Sequence, residues 1–161
     1  MLCPNCGKDV KEDSYYCMYC GYKIPEEKDG SPETLIRNIL IARLNAIKEH
    51  DSKIIKNIVD EERYTKFDDW PPFDLQSKEA LKNEIDAYKA LKEYNYETRS
   101  WNFSIFGDLA LATYIIKYQG KIRDLEFNIR SRITSVLVKR DENWQIVHEH
   151  WSRFPQKEKS S

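Results

Sequence analysis

Four cysteines occupy the first twenty residues of this 161-residue chain, and the rest of the sequence has none. They form two Cys-x-x-Cys pairs, Cys3 with Cys6 and Cys17 with Cys20, separated by ten residues. Two such pairs supply the four thiolates that a tetrahedral zinc site requires. Because protein fills all four positions, none is left for a catalytic water or a substrate. The spacing therefore predicts one structural zinc ion.

Other chemistries of paired cysteines fit this sequence less well. Disulfide bonds suit a secreted chain, but the residues after Met1 do not form an apolar leader segment. A redox-active Cys-x-x-Cys motif usually occurs singly, at the junction of a strand and a helix. Residues 2–24 resemble the short zinc ribbon found at the N-termini of many microbial proteins, and the resemblance supports zinc as the metal. Reduced thiols on a metal are typical of the cytoplasm, which is the compartment we expect.

The charge balance argues against nucleic acid as a partner. The chain carries 26 basic and 27 acidic residues, whereas a nucleic-acid protein usually has a basic excess. The ribbon has no basic stripe, because Lys8, Lys11 and Lys23 are offset by neighbouring acids. No apolar run reaches the roughly 20 residues of a membrane span. The ribbon's tyrosines can contact a protein partner or pack around the metal; they are Tyr15, Tyr16, Tyr19 and Tyr22.

A polar segment over residues 25–31 separates the ribbon, residues 1–24, from a second domain. The segment starts with proline and is followed by Pro32, so we predict a linker there. The second domain, residues 32–155, is long enough to bury roughly two-thirds of its unfolded surface. The polar residues 156–161 are predicted to be a disordered tail.

The apolar spacing in the second domain changes from a helical period to a period of two after Tyr94. Before that point, the spacing and the capping residues predict three helices, which begin after Ser31, Asp51 and Ser77. Beyond it, alternating segments and short turns predict an antiparallel meander of four strands. This order predicts an α+β domain with helices packed on one face of a curved antiparallel sheet. The predicted strands are residues 94–106, 109–118, 125–139 and 144–154.

The predicted strand 109–118, which we expect to end in a turn at Gln119 and Gly120, is apolar on both faces. A strand of this kind has to be covered on both sides. The helices cover one side, and a second copy of the sheet is the simplest cover for the other. We therefore predict a homodimer, or a larger ring, formed through the outer face of the sheet.

The segments 132–136 and 144–152, the turn 107–110 and the segment 64–67 occur in the order typical of one superfamily. They resemble the SnoaL-like branch of the nuclear transport factor 2-like superfamily, and also the association (hub) domain of calcium/calmodulin-dependent protein kinase II. The resemblance covers about residues 34–155. It implies a cone, in which a bent antiparallel sheet wraps around the helices and leaves a pocket at the open end. It also implies dimerisation through the outer sheet surface.

The resemblance further suggests how the pocket would be lined. Arginines on the pocket strands of the kinase hub can bind small carboxylates, and the matching positions here are Ile116, Ser135 and Trp151. We therefore expect an apolar and aromatic pocket that suits an apolar or planar ligand, although large aromatic side chains can also be plain core packing. The candidate pocket residues are Tyr64, Trp70, Trp101, Tyr114, Ile116, Arg132, Ser135, His150 and Trp151.

A catalytic function of the cone requires a carboxylate or a histidine inside an apolar pocket. His148 and His150 share a strand face and can bind a metal, but no third ligand has a useful spacing, so we interpret them as structural. Arg130 and Arg132 also share a face, either inside the cone beside an anionic ligand or outside it. The acidic residues expected near the mouth are interpreted as solvent-facing loop charges: Asp60, Glu61, Asp68 and Asp69.

Together these features predict a zinc-binding, non-catalytic, dimerising protein. Its cone domain would bind a small apolar ligand, and its ribbon would mediate interaction or assembly. The alternative is a small-molecule isomerase or lyase of the SnoaL-like type that uses a pocket carboxylate or histidine.

Overall fold

The computed structural model describes residues 1–11, 14, 16–22, 24 and 30–156. The predicted linker lies outside these residues except for its last two positions, and the predicted tail lies outside them after Gln156. Two separate clusters of buried side chains are present, a small one in the ribbon and a large one in the second domain. Within the described residues, no helix is both long and apolar enough to cross a membrane.

Three helices precede the long strands, as predicted. Helix α1, Pro32–Glu49, begins where the Ser31 hydroxyl accepts a hydrogen bond from the Thr34 amide at 3.3 Å. Helix α2, Ser52–Ile58, is capped in the same way by Asp51. Helix α3, Glu79–Tyr88, begins one residue later than predicted.

The late start of α3 has a local cause. The Ser77 hydroxyl does not cap the helix but donates a hydrogen bond to the Glu79 carboxylate at 2.5 Å. The Ser77 amide donates to the same carboxylate at 2.9 Å. Lys78 therefore occupies the N-cap position, and it makes no capping hydrogen bond through its side chain.

A six-stranded, open and curved sheet follows the helices in the order β2-β1-β6-β5-β4-β3. The four long strands form the predicted antiparallel meander. The two short strands were not predicted, and β1 pairs in parallel with β6, so the sheet is mixed. The strands are β1 (Thr65–Phe67), β2 (Leu75–Gln76), β3 (Leu91–Phe106), β4 (Leu109–Ile122), β5 (Leu125–Arg140) and β6 (Asn143–Arg153).

The predicted turn at Gln119 and Gly120 is wrong, because β4 continues through both residues to Ile122. Gly120 pairs with Phe127 of β5. A Cβ at this position would lie 2.8 Å from the Phe127 ring and 3.2 Å from the Lys92 carbonyl oxygen. Gly120 therefore marks a close approach inside a strand, which is a second common use of glycine in sheets.

The inner face of the sheet packs against α1 to form the main core. Ala110, Ala112, Tyr114 and Ile116 are all buried, which confirms that they share the inner face of β4. On its core side, α1 carries a row of fully buried aliphatic side chains. Each such side chain contributes about 1.5–3 kcal/mol relative to an exposed position. The row comprises Ile36, Leu40 and Leu44.

Candidate functional site

The two cysteine pairs of the ribbon occupy matching backbone turns. The amide of Gly7 donates to the Cys3 carbonyl at 2.9 Å, and the amide of Gly21 donates to the Cys17 carbonyl at 2.8 Å. Both glycines have positive φ, +70° and +71°, which a residue with a Cβ rarely adopts. Each turn therefore brings the two sulfurs of its pair to one side of the backbone.

The four sulfurs meet in one cluster, as the spacing predicted. All four Sγ atoms lie within 4.8 Å of one another. The Sγ atoms of Cys3 and Cys20 are 3.7 Å apart, and those of Cys6 and Cys17 are 3.5 Å apart. Four sulfurs bound to one zinc ion at about 2.3 Å would be about 3.8 Å apart in tetrahedral geometry. The donor set and its dimensions therefore fit a zinc ion.

The thiols differ in acidity because their surroundings differ. Burial raises the pKa of Cys6 to about 12 and also raises the pKa of Cys3. A hydrogen bond from the Asn5 side chain lowers the pKa of Cys20 to about 6. The protein alone therefore favours one thiolate and two protonated thiols. A divalent cation is what would allow the whole set to ionise.

The interior of the cone contains a buried network of charges. Arg43 of α1 is fully buried and forms a two-point ion pair with Glu84 of α3, at 2.7 and 2.9 Å. Its Nε also donates to Glu149 of β6 at 3.3 Å, and Tyr64 donates to the same Glu149 oxygen. Lys66 of β1 lies 3.7 Å from Glu84. The prediction of an apolar and aromatic interior is therefore wrong, because charges of both signs are buried there.

The sequence does not predict this network, because its members come from elements that are far apart in the chain. A signal for Arg43 was nevertheless present in the sequence, because it follows Leu40 by three residues and precedes Ile47 by four. It therefore lies on the buried side of α1, where a charged residue needs a partner. For Glu149, the signal was its position on the same strand face as Trp151.

The predicted pocket residues divide between the two faces of the sheet. Arg132 and His150 are exposed on the outer face, so their assignment to the pocket is wrong. Side chains alternate along a strand, and Arg132 therefore points away from Ser135, as His150 does from Trp151. Ser135 is buried on the inner face, and Trp70 is half-buried beside Tyr118, outside the interior core. The remaining candidates lie in or against the interior core: Tyr64, Trp101, Tyr114, Ile116 and Trp151.

Several polar atoms of the interior are buried without a hydrogen-bond partner among the described residues. They belong to the neighbouring strands β4, β5 and β6. Ser135 of β5 pairs with Glu149 of β6. Tyr114 of β4 pairs with Ile133 of β5, which in turn pairs with Trp151 of β6. A buried polar atom without a partner costs about 1–3 kcal/mol unless a ligand or water satisfies it. These atoms are Tyr114 OH, Ser135 Oγ, Glu149 Oε1 and Trp151 Nε1.

A second polar cluster surrounds Asp69, for which the sequence predicts a solvent-facing loop charge. Its side chain is buried, so that interpretation is wrong. Its Oδ2 accepts hydrogen bonds from Tyr118 at 2.7 Å and from Ser131 at 2.6 Å. Burial raises the pKa of Asp69 despite these hydrogen bonds, and Oδ1 has no partner among the described residues.

The aromatic candidates are held by neighbouring rings. Trp101 stacks on Tyr114 with ring centroids 4.0 Å apart. Trp70 donates to the Tyr118 hydroxyl at 2.9 Å and packs edge-on against Phe127. These contacts fit core packing, one of the two roles that the sequence predicts for them.

The two histidines of β6 lie on the outer side of the sheet. The Nδ1 atom of His148 lies 2.7 Å from the Thr65 hydroxyl, and Phe67 packs against the rings of His148 and His150. Burial, followed by the nearby His150, lowers the pKa of His148. Among the described residues, only the four cysteines form a group of three or more potential metal ligands.

Comparison with known families identifies both parts of the chain. Residues 36–157 match the SnoaL-like domain, and residues 2–24 match a zinc-ribbon domain. The first match covers more than half of the chain, so the protein belongs to the SnoaL-like family. No curated protein sequence matches it.

Solved structures show the same nuclear transport factor 2-like fold. The CaMKII hub of S. rosetta has a TM-score of 0.66 at 22% identity, covering 81% of this chain and 100% of the hub. A nuclear transport factor 2-like superfamily protein from Salmonella enterica has a TM-score of 0.68 at 16% identity, covering 80% and 95%. A putative ketosteroid isomerase from Shewanella frigidimarina has a TM-score of 0.59 at 19% identity, covering 72% and 93%.

Proposed function

We propose that this is a non-catalytic assembly protein. Its cone domain self-associates through the outer face of the sheet, and its ribbon binds one zinc ion and contacts a protein partner. The similarity to a CaMKII hub supports self-association, because the word 'hub' describes the part of that protein through which it assembles.

The observation that carries the proposal is an apolar stripe on the outer face of the sheet, near the turn between β3 and β4. Leu109 pairs with Val138 across the strands, and Leu111 pairs with Val136. Phe106 is 65% exposed and Leu109 is 44% exposed. A contiguous exposed apolar surface of this kind marks a protein interface. The apolar stripe consists of Phe106, Leu109, Leu111, Val136 and Val138.

Light scattering after gel filtration tests the assembly. We expect a mass that is a multiple of 19.2 kDa at micromolar concentration. Leu111→Glu places a charge in the stripe and should give a folded monomer. Gln119→Glu adds the same charge at an exposed outer position of β4 and should leave the mass unchanged. A monomeric wild type would contradict the proposal.

Zinc in the ribbon is tested by metal analysis after chelator-free purification. We expect about one zinc ion per chain, as a closed four-cysteine site implies. Cys6→Ser removes one ligand and should lower the zinc content, whereas Ser14→Ala leaves all four ligands in place. Negligible zinc in the wild type would rule out this part of the proposal.

The ribbon has an exposed apolar surface that suits a protein partner. Met18 is 82% exposed, and Tyr16 and Tyr19 are also exposed. Tyr22 instead packs against the ribbon core, and Tyr15 lies outside the described residues. A partner that binds the wild type, but not Tyr16→Ser/Tyr19→Ser with unchanged zinc content, would support this role. Equal binding by both proteins would contradict it.

We further propose that the cone interior binds a small ligand with an apolar body and at least one hydrogen-bonding group. The aromatic walls suit the apolar body. The unpartnered atoms of Tyr114, Ser135 and Trp151 suit the polar group. A structure of protein purified without denaturation tests this proposal, because ligand density beside these atoms would support it. A fully packed interior, with those atoms bonded to each other, would refute it.

A second candidate function is proton transfer by Asp69, in an isomerase or lyase. The observation that favours it is a buried carboxylate with a raised pKa, since a general base works best with a pKa near the working pH. Deuterium exchange next to the carbonyl of a panel of cyclic ketones, followed by NMR, tests this function. Exchange by the wild type but not by Asp69→Asn would support it, and no exchange beyond the buffer rate would oppose it.

A further inference from the structure

A groove of about 410 Å³ lies on the outer face of the sheet, separate from the features above. It crosses β3, β4 and β5. Lys117 lies six residues beyond Leu111 on the same strand, so the groove is centred roughly 20 Å from the apolar stripe. We call it the cationic groove; its lining residues are Glu97, Thr98, Arg99, Ile115, Lys117 and Arg130.

The backbone of β3 bends beside this groove. The register between β3 and β4 shifts between Arg99 and Asn102, and Ser100 has a φ of +58°. A bulge of this kind bends its strand and increases the local twist. Arg99 therefore lies at the bend, on the β3 side of the groove.

The protein neutralises the cations of the groove only in part, because Glu97 pairs directly with Lys117 across β3 and β4. Lys117 and Arg130 pair directly across β4 and β5, and like charges in that arrangement are destabilising. Arg99 adds a third positive charge, whereas Glu97 is the one acidic residue among the lining side chains. In the part of the chain that the structure describes, none of these three cations forms an ion pair.

One of the cations is held in position by an aromatic ring. The guanidinium carbon of Arg130 lies 3.9 Å from the centroid of the Phe154 ring. The Phe154 amide also donates to the Arg130 carbonyl at 3.0 Å, which fixes the two residues together. A guanidinium held in this way loses little freedom when it binds an oxyanion through two parallel hydrogen bonds.

We infer that the cationic groove binds a small polyanion with at least two oxyanion groups. Its volume is within the range of small-molecule sites. Its three cations outnumber its one carboxylate, so an anionic ligand relieves the repulsion between Lys117 and Arg130. Phosphate and carboxylate groups share the required chemistry.

Calorimetric titration of the full zinc-loaded chain at low ionic strength tests this inference. Pyrophosphate and tricarballylate are the two probes, and zinc is measured after each titration because both anions can also bind metal. We expect one binding site per chain, with an affinity that falls as salt is added. Binding of pyrophosphate alone would identify a phosphate site, and binding of tricarballylate would identify a carboxylate site.

A pair of double variants locates the binding. Arg99→Gln/Arg130→Gln should weaken it at least tenfold. Lys56→Gln/Lys78→Gln removes the same charge from exposed positions outside the groove and should change it less than twofold. The inference is overturned if neither probe binds, or if both double variants bind as the wild type does.

Discussion

Arg43 is a fully buried cation whose charge is balanced by carboxylates from two other elements. Glu84 binds it at two points, and Glu149 contacts its Nε atom. A buried ion-pair network adds little net stability over an apolar core of the same shape. Removing one member is costly, however, because the remaining charges are then buried without compensation. Arg43 thus fixes how α1, α3 and β6 pack together.

Arg43→Met tests this argument. We expect it to lower the free energy of unfolding by about 3–5 kcal/mol, because Glu84 and Glu149 lose their cation. Urea unfolding followed by circular dichroism measures the change. Lys48→Met, at an exposed position of the same helix, should cost less than about 1 kcal/mol. Equal costs for the two variants would show that the buried network does not hold the helices.

The pKa of Glu84 predicts an acid-sensitive contribution to stability. Burial would raise this pKa, but the cations of Arg43 and Lys66 outweigh it and hold the pKa at about 2. The folded-state pKa is thus below the unfolded one, and the contribution is present above about pH 4.5. It is lost as the pH falls from there towards 2.

Unfolding free energies measured between pH 6 and pH 2 check this prediction. We expect Glu84→Gln to be less stable than the wild type at pH 6, because Arg43 and Lys66 lose a charge partner. We expect the wild type to lose more stability than this variant across the acidic window, so that their difference narrows. A constant difference over the whole range would contradict the assigned cause.

At the scale of elements, local signals predicted the helices and the long strands, and non-local pairing explains what was missed. Strand β1 has three residues, and its partner β6 lies about eighty residues further along the chain. No turn or periodicity links two parallel strands so far apart. The sequence also does not determine which face of each long strand is buried. Alternation shows that Glu149 and Trp151 share a face, but it does not show which face is buried.

A substitution at Gly120 tests whether this residue lies inside a strand, as in the structure, or in the turn that the sequence predicted. In the strand, Gly120→Ala brings a methyl group into contact with the Phe127 ring and the Lys92 carbonyl. We expect a loss of about 1–3 kcal/mol in unfolding free energy, as for overpacking in a core. Gly30→Ala is the matched control, because its added methyl group meets no atom within 4 Å. A Gly120→Ala variant as stable as the wild type would mean that this close approach relaxes at no cost.

In the molecule as a whole, the ribbon lies against α1 at Gly7, next to the metal ligand Cys6. A Cβ on Gly7 would lie 2.2 Å from the Asn45 side-chain nitrogen. The Asn45 oxygen in turn accepts a hydrogen bond from Tyr96 of β3 at 2.5 Å. Sequence spacing predicted all four metal ligands because they lie in two short local turns. It could not predict this contact, which depends on the Gly7 backbone and on side chains from α1 and β3.

Removing the zinc ion tests whether the ribbon and the cone fold independently of each other. The ribbon core contains few buried side chains besides its cysteines, so its folding depends on the metal. The cone has its own large core, and we expect a chelator to lower its melting temperature by at most about 5 °C, equivalent to roughly 1–2 kcal/mol. Calorimetry with and without chelator measures this shift, and Cys17→Ser should already match the chelated protein. If the cone's transition disappeared with the metal, the ribbon would be an integral part of the cone's fold rather than a module docked beside Asn45.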